Sequence, residues 1–422
     1  MTAKSLIVTP EASAASGWEN PMASAATPPP RLFTLILLSA LAVLPVNMFL
    51  PSLSNIAREF QADYALVNLS IAGYAGIAAA LQLIMGPLSD RVGRRPVLLA
   101  ALAMFILASL GCALATGIRA FLVFRLLQGT VISGYAVSLA VIRDTSDEQK
   151  AASLIGYVAT AWAVAPMLGP TFGGLLDELF GWRASFWAFA ILGIAVLVLC
   201  WVDLPETNTA PSSTIMKQFG TYPELLRSRR FWAYALCMAF STGAFYAFLG
   251  GAPLTAKTLF MMSPATLGFC MGTMTAGFML GSFLSGRYAD RYPLTTMMIA
   301  GRIIACAGLV VGLALLLAGA VHVASLFGPC VFVGLGNGLT MPSASAGALS
   351  VRPRLAGSAS GLSGALTVAG GAVASSITGA VLTEDNSAYA LLAAMLSSSL
   401  LALLAALYVL RLDRRVRRGV PA

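Results

Sequence analysis

The chain is predicted to be an all-α integral membrane protein with twelve transmembrane helices, and three observations predict it. Of 422 residues, 58% are hydrophobic and only 10% charged, too few charges to clothe a soluble domain. Apolar runs recur down the chain, each long enough (about 20 residues) to cross roughly 30 Å of hydrocarbon. Basic residues gather in alternate loops, the pattern that orients helices across a bilayer. The 40 glycines agree, because small residues let helix backbones approach where lipid gives no hydrophobic drive to associate.

Taken in order, residues 1–30 are rich in Ala, Ser and Pro and end in Pro28-Pro29-Pro30. This composition predicts a disordered cytoplasmic tail. It lacks the layout of a cleaved signal peptide, and Met22 is an alternative start. Apolar runs follow at about 32–55, 65–89, 96–116, 119–142, 150–176, 182–204, 231–253, 264–289, 294–320, 321–350, 355–383 and 387–411. Residues 31–204 are expected to form one six-helix bundle and 231–411 another. Residues 205–230 are the cytoplasmic linker between them, and 412–422 a basic cytoplasmic tail.

Behind the net charge of +9, basic residues concentrate at Arg91, Arg94 and Arg95, Arg143 and Lys150, Lys217, Arg227, Arg229 and Arg230, Arg287 and Arg291, Arg352 and Arg354, and in the tail. The opposite loops are poor in cations. Both termini are therefore expected in the cytoplasm, and the basicity is topological, with no nucleic-acid partner implied. The six cysteines are scattered through apolar stretches and His322 stands alone, so no disulfide, metal or cofactor is expected. No His, Asp or Glu constellation lies at mid-depth, which argues against an intramembrane enzyme and leaves no catalytic residue to name. The loops are too short for a soluble output domain.

Several motifs carry more. Gly86-Pro87-Leu88-Ser89-Asp90-Arg91-Val92-Gly93-Arg94-Arg95-Pro96 closes the second run, and Gly286-Arg287-Tyr288-Ala289-Asp290-Arg291 closes the eighth at the corresponding place. Such an echo predicts a parallel repeat with solute bound between the halves near the midplane. In the first motif Gly86 permits close helix approach, Gly93 permits a tight turn, and Asp90 needs basic or helix-terminal partners. Arg91, Arg94 and Arg95 are placed to pair acids when the cytoplasmic side is shut. Phe124-Arg125-Leu126-Leu127-Gln128-Gly129 puts a cation in an apolar helix, where it faces a cavity or a carbonyl unless it snorkels outward. Ala165-Pro166-Met167-Leu168-Gly169-Pro170-Thr171-Phe172-Gly173-Gly174 combines helix-bending prolines with a close-contact face of Gly169, Gly173 and Gly174.

The eleven-residue loop matches the signature of the major facilitator superfamily, and the fifth-run motif resembles that of its exporters. Residues 32–411 resemble the bicyclomycin-resistance/chloramphenicol-efflux (Bcr/CflA) branch. The likeness rests on Asn47-Met48-Phe49-Leu50-Pro51, Leu204-Pro205-Glu206-Thr207, Gly251-Ala252-Pro253, Gly336-Asn337-Gly338 with Pro342, and Ala356-Gly357-Ser358-Ala359-Ser360. It implies a major facilitator fold of two pseudo-symmetric bundles. It also implies proton-driven export of drugs or small metabolites from the bacterial cytoplasm; the expected working is alternating access of the two bundles in a monomer in the inner membrane.

In one respect the chain departs from that branch, which usually carries an aspartate where Asn47 stands. An amide does not titrate, so Asn47 is expected to bind substrate by hydrogen bonds or to serve as a structural amide. Coupling then falls to a boundary acid such as Asp144 or Asp177, or transport is exchange or facilitated diffusion. The expected cavity wall is Gln128, Tyr135 and Trp162 from the first half with Phe245, Tyr246 and Asn337 from the second. An importer of a sugar or organic acid is the rival reading, and an anionic substrate would need more intramembrane cation than Arg125 alone supplies.

Overall fold

The computed structural model describes residues 30–146, 148–208, 222–288, 291–352 and 355–417. Residues 1–29, most of the linker, Asp290 and Arg354 lie outside the described residues, as do the surroundings of Gly86 and the side chains of Asp90, Trp162 and Pro166. Among the described residues every regular element is helical. Eleven segments among those residues are long and apolar enough to cross a membrane. The fifth helix, Glu148–Phe180 with 33 residues, runs between the fourth and sixth and makes the twelfth.

Two spans are broken. The first runs Leu32–Asn47, turns through a single 3₁₀ turn Leu50–Ser52 and resumes as Leu53–Glu59. Pro45 and Pro51 explain the break, because each lacks the N–H that a continuous helix would use. The fourth runs Ile118–Gln128, tightens into a 3₁₀ turn Gly129–Ile132 and continues Ser133–Thr145. Neither break was expected from the apolar runs, which read straight through both. The other spans are the second Tyr64–Val92, third Arg94–Leu114, sixth Arg183–Asp203, seventh Arg229–Phe260, eighth Pro264–Tyr288, ninth Leu294–Leu317, tenth Val323–Ser350, eleventh Ala356–Val381 and twelfth Ser387–Arg417.

Local chemistry starts and stops these helices. Asp63 caps the second by accepting from Ala65 N (3.0 Å), and Ser228 caps the seventh by accepting from Phe231 N (3.3 Å). His322 has the same role at the tenth, its Nδ1 accepting from Ala324 N at 3.1 Å; such caps satisfy donors that a helix start leaves free. The twelfth helix continues past residue 411 into the stretch expected to be tail. Asp413 holds it there, paired with Arg230 (2.9 Å) and accepting from the Tyr234 hydroxyl (3.3 Å).

Glycine sets the packing of the second half. A methyl group on Gly334 would lie 1.9 Å from Met274 O, and one on Gly338 would lie 2.2 Å from Phe278 O. Gly277 and Gly281 of the eighth helix meet the tenth reciprocally, and a methyl on Gly336 would lie 2.3 Å from Gly301 O of the ninth. The tenth helix is thus wedged backbone-on-backbone between the eighth and ninth. The first half relies instead on a ring cluster, with Phe121, Trp182, Phe186 and Phe189 packed edge to face.

The halves meet along two helix pairs. The fifth crosses the eighth where Gly174 lies against Pro264 O and Gly268 against Pro170 O, each 2.1 Å from an added methyl. Thr171 donates to Gly268 O nearby (3.4 Å). The second crosses the eleventh, where Asn68 Nδ2 donates to Ser375 O at 2.7 Å. Tyr64 donates to Gly250 O (2.8 Å) and Ser54 to Pro253 O (3.4 Å) alongside. All four bonds lie at the end of the molecule away from the chain termini, forming a seam across that end.

Candidate functional site

Between the halves lies a cavity of about 250 Å³. Asn47, Tyr74 and Gln82 reach it from the first half, and Phe245, Tyr246 and Asn337 from the second, with Met274, Phe278 and Met341 completing an aromatic and thioether wall. Of the residues expected at the wall, Asn47, Phe245, Tyr246 and Asn337 line this cavity. Gln128 and Arg125 stand behind the wall, and Tyr135 packs partly buried against the apolar core. Trp162 falls outside the described side chains.

The break in the first span explains Asn47. It is the last residue of its helix; its Nδ2 donates back to Val43 O (3.0 Å), while its Oδ1 is buried without a partner. A buried amide oxygen left unpaired costs about 1–3 kcal/mol, a cost that a ligand donor reaching the cavity wall would offset. The fifth helix presses on the same turn. Gly169 faces the Asn47 Cβ, and a methyl on Gly173 would lie 1.5 Å from Met48 O. The fifth-span glycines therefore shape the turn that carries Asn47.

Arg125 is fully buried and does not snorkel. Its guanidinium donates to Pro45 O (3.0 Å) and to Gln128 Oε1, and Gln128 in turn donates to Ser109 (2.7 Å). Pro45 lies in the last turn of its helix, where carbonyls lack the amide partner of a continuing helix. Three rings enclose the cation: Phe49 at 4.1 Å, Tyr74 at 5.0 Å and Phe186 at 5.9 Å. Tyr74 also lines the cavity, so a single ring separates Arg125 from the ligand space.

The second half holds a counterpart that sequence reasoning missed. Arg302, ninth residue of its helix and roughly 12 Å along it by helical rise, is also fully buried. It donates to Asn337 Oδ1 (2.7 Å) and to Thr340 Oγ1 (2.9 Å), and Nη1 has no partner. Asn337 spends its own Nδ2 on Ser241 O (3.1 Å). The flanking Gly336 and Gly338 bring three backbones together, which puts Asn337 between Arg302 and the cavity. The signal was present as a cation well inside the apolar run 294–320. With it, the premise that Arg125 is the sole intramembrane cation is corrected.

The boundary acids are engaged elsewhere. Asp144 pairs with Arg94 (3.2 Å) and accepts from Thr207 (3.1 Å). Asp177 accepts from Asn55 Nδ2 at 2.8 Å. Neither lines the cavity. In the signature loop, Glu206 accepts from the backbone N–H of Arg94 (2.9 Å) and Arg95 (3.1 Å). Gly93 has φ +114°, and an added methyl would lie 2.5 Å from Glu206 Oε2. Arg95 donates to Trp201 O (2.7 Å) and stacks on its ring. The Leu204-Pro205-Glu206-Thr207 motif thus clamps this loop to the sixth helix within the first half. Arg91 is exposed, and Asp90 lies outside the described side chains.

Two six-helix halves around a shared cavity, sealed at one end by crossed helix pairs, define a multi-pass transporter architecture. The Major Facilitator Superfamily profile matches residues 35–375 and, again, 251–422. The chain belongs to the major facilitator superfamily of membrane transporters. It is 32% identical over 365 residues to the uncharacterized MFS-type transporter YdgK of Bacillus subtilis (strain 168), covering 82% of this chain and 88% of that one. It is 30% identical over 335 residues to the multidrug resistance protein MdtL of Escherichia coli O9:H4 (strain HS), covering 78% and 83%. Its fold is similar to that of a bacterial homolog of the human lysosomal transporter Spinster (TM-score 0.73, 16% identity, 93% of this chain and 98% of that one). A D-xylose-proton symporter is similar in the same way (TM-score 0.71, 16% identity, 90% and 96%).

Proposed function

We propose that this chain is a secondary active transporter that exports drugs or small metabolites across the bacterial inner membrane. It works by alternating access, as a monomer, with both termini in the cytoplasm. The observation that carries the reading is the cavity between the halves, walled by Phe245, Tyr246, Tyr74 and methionines with amides at Asn47 and Asn337. Aromatic and thioether walls with few polar points suit amphipathic ligands of varied shape. The similarity to MdtL, named for multidrug resistance, supports the drug class. The Bcr/CflA motifs support the branch, and the glycine contacts of the fifth helix support export. On this reading the units are residues 31–204 and 231–411, and proton antiport drives the cycle.

A second reading, exchange without a proton, is favoured by Asn47. Among the described residues, no carboxylate lines the cavity, and coupling needs a group that titrates in the pathway. Reconstitution distinguishes the two. With an inside-acid pH gradient, proteoliposomes are expected to accumulate an uncharged antibiotic, and a protonophore to abolish the accumulation. Uptake indifferent to gradient and protonophore, but stimulated by unlabelled antibiotic inside, assigns exchange.

A further inference from the structure

The two buried arginines bear on which solutes the cavity accepts. Arg125 sits behind Tyr74 in the first half, and Arg302 sits behind Asn337 in the second. Both are fully buried. Their hydrogen-bond partners are a proline carbonyl, amide oxygens and a threonine hydroxyl, all neutral. Among the described residues neither guanidinium has a carboxylate in salt-bridge range, whereas five other described arginines do. Nη1 of Arg302 and Nε of Arg125 are buried with no partner at all. In the cavity wall the amides Asn47 and Asn337 stand among the polar groups, and no carboxylate among the described residues does.

Buried ions without counter-ions are costly, and the described residues supply none from the cavity wall. The cavity is therefore flanked on both sides by positive charge that neutral groups solvate but no carboxylate among the described residues balances, held deep enough in the protein to weaken screening. Resting on the exporter reading above, we propose that the cavity selects amphipathic anions over neutral analogues and discriminates against cations. The chemical class is an apolar or aromatic body carrying one carboxylate or an equivalent oxyanion. The body fits the Phe245, Tyr246 and Met274 wall, and the oxyanion faces the Asn337 side, where Arg302 stands one residue deep.

The test uses three probes sharing a 4-tert-butylphenyl body with purified full-length protein in detergent: 4-tert-butylbenzoate, 4-tert-butylbenzamide and 4-tert-butylbenzyl-trimethylammonium. Equilibrium binding is expected to rank them in that order, the benzoate tighter than the ammonium by at least about tenfold. Arg302→Met should collapse the benzoate preference while sparing benzamide affinity. Where Arg302→Met fails to fold, Asn47→Asp serves, placing an anion in the wall; it should move the ratio toward the ammonium by about tenfold. Ammonium binding as tight as benzoate in the native chain overturns the proposal. So does an unchanged ratio in Asn47→Asp, or the absence of saturable benzoate binding. In each of those cases, gradient-driven export of an uncharged antibiotic would leave the exporter reading standing, and only loss of that export would remove it.

Discussion

At the scale of single residues, the site is governed by groups whose partners are missing or neutral. Asn47 offers an amide where proton coupling would want an acid. Asn47→Asp restores one, and drug accumulation by this variant is expected to depend on pH more steeply than in the native chain. Parallel pH profiles in proteoliposomes would show that this position has no contact with a proton path. Arg125→Lys keeps the charge but loses the planar fork that spans Pro45 O and Gln128. One of these buried acceptors is then left unpaired, at about 1–3 kcal/mol, and the melting temperature in detergent should fall. Arg125 and Asn47 were legible in the sequence because each breaks an apolar pattern. Arg302 broke the pattern equally but was absent from a reading that followed motifs. Asn68, which binds across the seam, carries no local signal, since its partner Ser375 lies 307 residues away.

At the scale of helices, glycine decides how closely backbones approach, and that can be tested by pairs. Gly338→Ala puts a methyl 2.2 Å from Phe278 O, whereas Gly76→Ala meets nothing within 4 Å. The first should destabilise by about 1–3 kcal/mol as over-packing. The second should be neutral or stabilising by up to about 1 kcal/mol through helix propensity. Thermal unfolding of both variants in one detergent checks the contrast, and equal effects would remove the account of the wedged tenth helix. The twelve spans themselves were legible, because length and apolarity set them. The breaks at Leu50–Ser52 and Gly129–Ile132 were not. An apolar run looks the same whether or not its hydrogen-bond ladder is interrupted, and only tertiary contacts such as Arg125 to Pro45 reveal which turn is opened.

At the scale of the whole molecule, the seam away from the termini must open if the cavity is to serve both sides of the membrane. A methyl on Gly379 would lie 3.1 Å from Asn68 Cβ, close to the separation that a disulfide spans. The double variant Asn68→Cys, Gly379→Cys is expected to cross-link under mild oxidation and to lose transport, with reductant restoring it. Transport that persists in the fully cross-linked protein would mean that this seam is not a gate. That there are two halves was expected from the polar break and the paired loop motifs. Their mode of contact was not, since it is made by small residues reaching backbone carbonyls on distant helices.

The placement of Arg302 also bears on how the chain is made. Arg125 donates to Pro45, a residue synthesised earlier, so the first half can satisfy this charge as soon as the fourth span is complete. Arg302 depends on Asn337 and Thr340, which emerge 35 and 38 residues later. A central arginine adds about 2.5–3.5 kcal/mol to the insertion of a helix, and the ninth span bears that alone until the tenth arrives. The ninth and tenth spans are thus expected to enter the bilayer as a hairpin, held back at the insertion machinery until both have been translated. A chain truncated after residue 322 would leave the ninth span bearing its charge without a partner.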